Sequence, residues 1–535
     1  MKVAFLYGAA LAAFIVLVVC HGVCSVLMAR CIKYFRSYVL YPLVRNRSRH
    51  VDNITRLNLI SLLIFLGLNS LVLSWTPHDR NTLSQRASIT SLFNLIPLFL
   101  GGKTNPLMSF VGFPLSTYYF SHHWFGRVAT AEALIHIGLS VSTSRSNDNI
   151  SISGYIVGSA LITITILSLW FVRRAQYDLF LKAHVALSLL ALGTAIWHVH
   201  LTNQSCPKVA IYCAASLWGF TIIFRFLRSL YYGLITVDTW QDKQALRMQV
   251  RLRRPTKVYP GSYFYLYFPV APFRFKIRGY PMNVAWWNVA DVEGSGYSSE
   301  LLFLIYHRGS VSSLAERDGN VRKIFVDGPY GQNLSLHEYE NIILTAKGPG
   351  IVGIIPHALH LAGRRLHDER QRVMEEAYSN HTLYRDKTRK VDMFWVLEDN
   401  SQQRWLHNEL RTLQKLDPRN RLLRIWCIYP SPRRRGPPFE QNDYWRCFYP
   451  SPGSDFHQNG IVREIGVGAN SPGRSIVVAC GEPSFTGQIR DEVIRNASME
   501  FVEVEYRPTY SAQELYGNSK QPRKQRTRRD LESAG

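Results

Sequence analysis

The sequence predicts a multi-pass α-helical membrane domain followed by two C-terminal domains, a small β-barrel and an α/β nucleotide-binding domain. The chain has 535 residues, too many for one ordinary domain, and 47% of them are hydrophobic. Long apolar segments occur only before about residue 230, so the mean hydropathy of the whole chain stays close to zero. Beyond them the pattern changes to short alternating runs, and then to buried strands separated by helical segments.

Seven apolar segments are candidates to cross a bilayer. They cover residues 3–28, 54–75, 88–102, 119–143, 152–172, 179–201 and 208–230. The first could instead be a cleaved signal peptide, because it is N-terminal, apolar and begins with Met1-Lys2. We therefore separate residues 1–53, a span with a basic loop, from residues 54–230, the main membrane domain.

Positive charge predicts the orientation, because Lys and Arg in short loops remain on the cytoplasmic side. Only Lys2 precedes the first span, whereas the loop after it contains Arg30, Lys33, Arg36, Arg45, Arg47 and Arg49. The C-terminal half is therefore predicted to be cytosolic, although Arg80 and Arg86 oppose the rule. Sequons at Asn149 and Asn203 lie in loops predicted to be external, as in a glycoprotein.

The net charge of +24 does not indicate nucleic-acid binding. Much of it lies in juxtamembrane loops and in the tail 517–535, which is predicted to be disordered. A lipid bilayer with anionic headgroups explains this distribution better. The eight cysteines show neither a disulfide framework nor a zinc-site spacing.

Four histidines in the apolar segments form two pairs with one spacing. His122 and His136 are fourteen residues apart, as are His184 and His198. Fourteen helical residues return to within about 40° of the same face, about 21 Å along the axis. A lone intramembrane histidine is more often a packing residue. Two matching pairs on spans of the same direction instead give two levels, each with two axial ligands for a haem.

The C-terminal half divides at about residue 340. Within 235–335, short β-like runs at 245–252, 262–268, 301–306 and 323–326 are typical of a small barrel or sandwich. Within 340–510, buried strands at 341–345, 391–397, 422–428 and 475–479 and a helix at 351–362 predict a doubly wound nucleotide-binding domain. Two insertions interrupt it: 364–390, predicted as a solvated helix and loop, and 429–459, predicted as a flexible loop.

A glycine-rich turn follows the first strand of this domain. It reads Gly348-Pro349-Gly350-Ile351-Val352-Gly353 and precedes a helix. Backbone amides and a helix N-terminus in this arrangement can approach a pyrophosphate. The motif is weak alone, and its position between strand and helix strengthens it. We expect nucleotide contacts at Lys347, Gly348, Gly350 and Gly353.

One segment carries a family resemblance. His122-His123-Trp124-Phe125-Gly126-Arg127 resembles the H-x-W-x-G-R segment that opens the haem-bearing helix of fungal ferric reductases, relatives of the NADPH oxidases. The resemblance extends from about residue 54 onward. Pro260-Gly261-Ser262-Tyr263 and Asp327-Gly328-Pro329-Tyr330-Gly331 are similar to segments of the FAD-binding, ferredoxin-reductase-like barrel. It implies FAD, two haems b and NADPH as cofactors.

The flavin motif of that family, H-P-F-T, is present in outline as Tyr280-Pro281-Met282-Asn283. Met282 can pack against a flavin but cannot stack on it, whereas Asn283 can donate a hydrogen bond. Arg278 and Tyr280 also resemble the R-x-Y arrangement of other superfamily members, which would supply a phosphate contact and a stacking ring. The family's terminal aromatic residue is not evident, and Tyr506 or Tyr510 could replace it.

The nucleotide motifs also depart from the family. Lys347 stands where the family usually has glycine. Cys480-Gly481-Glu482-Pro483 resembles the C-G-P turn beside the nicotinamide, with Glu482 inserted. This implies that Cys480 and Gly481 contact the nucleotide, although Cys480 could equally be a small buried residue at a strand end.

The resemblance implies a ferric-chelate reductase that passes electrons from NADPH through FAD and the two haems to an external Fe(III) chelate or siderophore, or to Cu(II). It also implies the plasma membrane, with a metal permease or oxidase as a candidate partner, and no side chain is assigned a catalytic role. A superoxide-generating NADPH oxidase is one alternative. The departures leave another: a haem membrane protein, or a pathway-specific redox partner, with weakened flavin and nucleotide binding.

Overall fold

The computed structural model describes residues 7–9, 11, 35–45, 54–75, 79–100, 115–141, 148–175, 177–241, 245–268, 279–288, 296–306, 322–374, 383–431, 438–449, 456–496 and 499–505. The predicted fold class is confirmed: apolar helices come first, then a closed barrel, then a parallel sheet flanked by helices. Most of the first predicted span lies outside the described residues. A short ribbon, β1 (Leu43–Arg45) and β2 (Ile54–Thr55), precedes the membrane helices.

Within the described residues, the membrane domain contains seven helices. They are α1 (Arg56–Ser74), α2 (Arg80–Phe99), α3 (Leu115–Val141), α4 (Asp148–Leu167), the short α5 (Trp170–Ala175), α6 (Tyr177–Thr202) and α7 (Ser205–Tyr232). Within the described residues, α1, α4, α6 and α7 are long and apolar enough to cross a membrane. The more polar α2 and α3 pack on each other, and α4 packs on α6, so the histidine helices α3 and α6 lie within one bundle.

Buried polar side chains join the first three helices. The Asn94 amide on α2 donates to Glu132 Oε2 on α3 at 2.8 Å and to Asn69 Oδ1 on α1 at 2.9 Å. The Tyr7 hydroxyl also donates to Asn69 Oδ1, at 2.5 Å. These four side chains are each at most 3% exposed. Hydrogen bonds of this kind hold membrane helices together where burial from water cannot.

The barrel follows α7 after a single glycine. Its strands are β3 (Leu234–Gln241), β4 (Ala245–Lys257), β5 (Tyr263–Tyr267), β6 (Gly279–Trp287), β7 (Tyr297–Tyr306) and β8 (Arg322–Tyr330), closed in the order β3-β4-β7-β6-β5-β8. The four runs predicted from alternation are strands. Two further strands, β3 and β6, were not predicted. In β6 the reason is that it contains Pro281 and lacks strict alternation. Phe264, Met282 and Phe303 belong to the buried core.

The nucleotide-type domain has a six-stranded parallel sheet in the order β12-β11-β10-β9-β13-β14. The strands are β9 (Asn341–Lys347), β10 (Lys390–Val396), β11 (Leu423–Ile428), β12 (Trp445–Phe448), β13 (Ser475–Cys480) and β14 (Met499–Glu503). The helices are α8 (Ile351–Met374), α9 (His407–Leu416), α10 (Phe456–Asn470) and α11 (Pro483–Arg495). The chain leaves β9 toward β10 on one side and reaches β13 on the other, which makes the β9–β13 boundary the topological switch point.

One prediction in this domain is wrong. Part of the insertion 429–459 is not a flexible loop, because β12 pairs in parallel with β11 at the sheet edge. Trp445 anchors it, being fully buried with its ring 5.2 Å from that of Phe439. Because Trp445 is buried, part of this Pro- and Ser-rich segment belongs to the core. The other insertion begins as the charged continuation of α8, as predicted.

Ion pairs connect the domains. Arg247 on β4 donates to Glu409 on α9 at 2.7 Å and so joins the barrel to the α/β domain. Arg36, in the juxtamembrane segment before β1, pairs with Glu500 on β14 at 2.6 Å. The Tyr41 hydroxyl accepts a hydrogen bond from the Phe501 amide at 3.0 Å. The α/β domain is therefore held both by the barrel and by the segment that follows the first apolar span.

Candidate functional site

The four paired histidines lie as two facing pairs between α3 and α6. The ring centres of His122 and His184 are 6.2 Å apart, and those of His136 and His198 are 6.4 Å apart. We call the first the barrel-side pair, because its helix end contacts the barrel, and the second the far-side pair. Among the described residues there is no cluster of three or more His, Cys, Asp or Glu side chains placed to hold a metal ion.

The spacing within each pair fits one metal ion between two imidazoles. A histidine nitrogen binds a metal such as zinc at about 2.0–2.1 Å and lies about 1.1 Å from its ring centre, so two imidazoles on opposite sides of one ion have centres about 6.3 Å apart. Both observed distances, 6.2 and 6.4 Å, match this value. The ring planes are inclined by 56° in the first pair and 76° in the second, so neither pair is stacked face to face. The donor set of two imidazoles is also that of a six-coordinate haem.

The far-side pair depends on a glycine in the adjacent helix. A Cβ built on Gly154 of α4 would lie 3.3 Å from the ring carbon Cε1 of His198 and 3.5 Å from Nδ1. The contact with Cε1 is tighter than most packing contacts, and the contact with Nδ1 is an ordinary van der Waals distance. Glycine therefore lets α4 approach the ring of His198.

Aromatic residues surround the barrel-side pair and connect it to the barrel. Tyr118 lies one turn before His122, with ring centres 6.0 Å apart, and Phe180 lies 5.5 Å from His184. Tyr119, next along α3, packs against a tyrosine cluster on β5 and β8, which consists of Tyr263, Tyr265, Tyr267 and Tyr330. A continuous aromatic contact thus leads from the barrel to the barrel-side pair.

A buried carboxylate fixes this contact. Asp327 on β8 is 1% exposed and accepts hydrogen bonds from Arg228 Nε at 2.7 Å and Arg225 Nε at 3.3 Å, both from the last turns of α7. Tyr330 donates to the same carboxylate at 2.9 Å, and Arg228 stacks over the Tyr330 ring at 4.3 Å. Burial, followed by the charge of Asp327, raises the pKa of Tyr330 well above its ordinary value, so the phenol stays protonated.

The flavin motif lies on β6 with its side chains on alternate faces. Tyr280 and Met282 are each 4% exposed and belong to the hydrophobic core, where Tyr280 contacts Phe268 at 5.9 Å. Asn283 is on the opposite face, in register with Tyr263 of the tyrosine cluster. Asn283 and Pro281, which is in register with Tyr265, are therefore the members of the motif on the face that carries the tyrosine cluster. Arg278 lies outside the described residues.

The end of the chain returns to this motif. The Asn283 amide donates to the Glu505 carbonyl at 2.6 Å, two residues beyond β14. Tyr506 and Tyr510, the candidate terminal aromatics, lie outside the described residues. The backbone that precedes them nevertheless passes over the flavin motif.

The glycine-rich turn lies at the switch point, against the end of β13. Gly348 has a φ of +53°, which glycine adopts without strain. A Cβ on Gly350 would lie 2.2 Å from the Cys480 carbonyl oxygen, and one on Gly353 would lie 2.5 Å from Cys480 Sγ. The structure thus brings the predicted nucleotide residues together. It also shows that Gly350 and Gly353 are required by close packing, whatever ligand is bound.

The two departures from the family's nucleotide motifs contact each other. Lys347 Nζ lies 3.0 Å from Glu482 Oε2, and both side chains are partly exposed, at 31% and 47%. Lys347 ends β9 and Glu482 follows β13, so the ion pair spans the mouth of the switch point. The sequence could not predict this pair, because the residues are far apart in the chain and neither belongs to a known pairing motif.

Cys480 is fully buried beneath this ion pair. Burial raises the pKa of its thiol well above the ordinary value, and the nearby Glu503 and Glu505 raise it further. The thiol therefore remains protonated at neutral pH and is not a nucleophile. Its contacts with Gly353 agree with the expectation of a small residue at a strand end.

Comparison with known proteins locates the membrane domain. Residues 87–195 match the family model described as "Ferric reductase like transmembrane component", a range that includes three of the four paired histidines. The chain is 27% identical to ferric reductase transmembrane component 4 of Saccharomyces cerevisiae, over 50% of this chain and 38% of that protein. It is 24% identical to ferric/cupric reductase transmembrane component 2 of the same yeast, over 63% and 51%. The predicted resemblance to the fungal ferric reductases is confirmed, although the chain spans half the length of these relatives or less.

Among solved structures, the chain is similar to ferredoxin-NADP+ reductase from Plasmodium falciparum, with 16% identity and a TM-score of 0.33, over 50% of this chain and 95% of that one. It is also similar to the flavohaem-like FAD/NAD-binding domain of a nitric oxide dioxygenase from Vibrio cholerae, with 12% identity and a TM-score of 0.31, over 51% and 98%.

Proposed function

We propose that this relative of the fungal ferric reductases transfers electrons across a membrane, from NADPH at the α/β domain, through FAD at the barrel and two haems b at the histidine pairs, to an Fe(III) chelate or Cu(II) complex on the far side. The observation that carries the proposal is the spacing of the two pairs, 6.2 and 6.4 Å between ring centres. FAD accepts a hydride and releases its electrons singly, and haem iron exchanges one electron.

The residues of the chain supply binding, orientation and direction. His122 with His184, and His136 with His198, would each hold one iron from opposite sides. Asn283 and the backbone at Glu505 would hold the flavin near the junction tyrosines, and the turn at Gly348 would receive the pyrophosphate. The junction at Asp327 holds the barrel against α7, which supports the entry of electrons from the barrel at the barrel-side pair.

The orientation follows from charge. Basic residues flank the spans on the side of the barrel, which places the C-terminal half in the cytosol and the far-side pair toward the exterior. We propose the plasma membrane as its location, as the family resemblance implies. A siderophore or other ferric chelate is the expected acceptor, and a metal permease or oxidase is a candidate partner that would take up the reduced metal.

The test uses the purified full-length chain. We expect a low-spin haem spectrum with two haems b per chain, bound FAD, and haem reduction when NADPH is added without oxygen. Reoxidation by a ferric chelate should follow. The His198→Ala variant should lose one of the two haems. The matched His200→Ala variant, which changes an exposed histidine on the same helix, should retain both.

Each other outcome identifies an alternative. Superoxide formation with no reduction of ferric or cupric chelates would favour an oxidase. Haem that loads but stays oxidised with NADPH would favour a membrane cytochrome that depends on another donor. A purified, folded protein without haem would refute the proposal altogether.

A further inference from the structure

The two far-side histidines have the same kinds of hydrogen-bond partner, provided by different helices. His136 Nδ1 lies 3.0 Å from the Ser84 carbonyl oxygen and 2.9 Å from the Ser84 hydroxyl. His198 Nδ1 lies 3.1 Å from the Ile150 carbonyl oxygen and 3.0 Å from the Ser153 hydroxyl. Each ring therefore meets one backbone carbonyl and one serine hydroxyl from a neighbouring helix, α2 for His136 and α4 for His198.

The carbonyl oxygens decide which nitrogen carries the hydrogen. A carbonyl can only accept, so in each far-side ring Nδ1 must be protonated and must donate. A neutral imidazole with its hydrogen on Nδ1 presents the lone pair of Nε2. The helices α2 and α4 thus fix the form of the ring that can bind iron through Nε2.

The barrel-side pair lacks this support. Nδ1 of His122 and Nδ1 of His184 are both buried, and neither has a hydrogen-bond partner within the described part of the chain. Their surroundings are aromatic, with Tyr118 beside His122 and Phe180 beside His184. The two pairs have nearly the same ring spacing and differ in what holds the second nitrogen.

We propose that the Ser84 and Ser153 hydroxyls, together with the Ser84 and Ile150 carbonyls beside them, give the far-side haem a lower midpoint potential than the barrel-side haem. This inference rests on the proposed function. A histidine that donates through its second nitrogen is a more basic ligand, and a more basic ligand stabilises the oxidised metal. Ser84 and Ser153 are positioning residues, since they act through the histidines.

The order of potentials has a consequence for the electron. A single electron entering the chain rests mainly on the barrel side, away from the external face. It reaches the far side only as an acceptor there removes it. The helices α2 and α4 therefore determine which of the two haems the electron mainly occupies.

The experiment is an anaerobic potentiometric titration of the full-length protein in lipid nanodiscs, followed by haem absorbance. The His198→Ala variant retains the barrel-side haem and the His184→Ala variant retains the far-side haem, which assigns each component. In Ser84→Ala/Ser153→Ala the far-side potential should rise, by up to a tenfold change in the equilibrium, or about 59 mV for one electron. The barrel-side potential should not move.

Two further variants distinguish an effect of the far-side serine hydroxyls on the potential from a general loss of haem binding. Ser188→Ala removes a serine one turn after the barrel-side ligand His184. The Ser188 hydroxyl donates to the His184 backbone carbonyl at 2.7 Å and not to its ring, so neither potential should change. Replacing Ser84 and Ser153 by threonine retains the hydroxyls. If the alanine variant loses haem, the threonine variant should bind both haems, and the far-side potential should again be the lower one.

Several results would overturn the inference while leaving the proposed function intact. Equal potentials in the wild type, or a higher one on the far side, would do so. So would an alanine variant that holds both haems with unchanged potentials. A wild-type protein that binds no haem would instead refute the proposed function itself.

Discussion

The junction at Asp327 offers the most direct test of how the barrel is coupled to the membrane domain. Its carboxylate is 1% exposed and receives two arginines of α7, whose side chains are 14% exposed for Arg228 and 33% for Arg225. The Asp327→Asn variant keeps the shape and removes the charge. Both guanidinium groups then lose their counter-ion in a site partly closed to water.

The expected cost follows from burial. Breaking a buried ion pair costs about 3–5 kcal/mol, because it leaves the partner charge uncompensated. The partial exposure of both arginines places this site at the lower end, about 3 kcal/mol. At 1.36 kcal/mol per tenfold change, the docked arrangement loses on the order of a hundredfold in its equilibrium. The matched control is Arg251→Gln on the same barrel, whose pair with Glu300 is 65% and 44% exposed and should cost about 0–1 kcal/mol.

The assay separates two steps after anaerobic mixing with NADPH. Flavin reduction should keep its rate in Asp327→Asn, whereas haem reduction should become slower, and amide exchange should increase in β5 and β8. Arg228→Gln changes the helix side of the same contact and should give the same result, which guards against a local fault in the barrel. Unchanged haem reduction and amide exchange in both variants, or an equal effect from Arg251→Gln, would refute the reasoning.

Three further predictions concern the α/β domain. Glu482→Gln should tighten NADPH binding by up to about fivefold in calorimetry, because it frees Lys347 from an exposed pair worth about 0–1 kcal/mol; weaker binding would contradict this. Burial lowers the pKa of His357 from 6.5 to about 3. Between these two values the unfolded state binds a proton that the folded state does not, so the stability should fall by about 1.4 kcal/mol for each unit by which the pH is lowered. In His357→Met this loss, measured by amide exchange of the helix that carries it, should shrink. Cys480 should resist alkylation until the protein is denatured, whereas the partly exposed Cys447 reacts, as mass spectrometry can check.

Periodicity predicted the parts of this molecule whose patterns are local. A helical repeat placed His122 and His136 on one face, and alternation located four of the six barrel strands. Four of the six described strands of the α/β domain, β9, β10, β11 and β13, were predictable as continuous buried runs, whereas β12 and β14 were not predicted. Where several local signals conflicted, as with Pro281 in β6 or the Pro-rich segment around Trp445, tertiary burial decided the outcome and the prediction failed.

Contacts made by distant segments could not be predicted. The carbonyl oxygens of Ser84 and Ile150 have no sequence signature, because every residue has a carbonyl and only helix packing selects which one meets a ring. The same holds for Asp327, whose role in a closing turn was implied by resemblance but whose arginine partners lie about a hundred residues earlier. These long-range contacts are also the ones that differentiate the two histidine pairs and fix the barrel.

The departures at Lys347 and Glu482 illustrate the point. Taken separately, a lysine in place of glycine adds bulk at the turn, and an inserted glutamate adds negative charge where a pyrophosphate would bind. In the structure the two charges neutralise each other across the mouth of the switch point, at 3.0 Å. These two side chains therefore add no net charge to the entrance, and the partly exposed ammonium can exchange a carboxylate for a phosphate. Two changes that each weaken the motif become a compensated pair, so the altered motif is compatible with a nucleotide site.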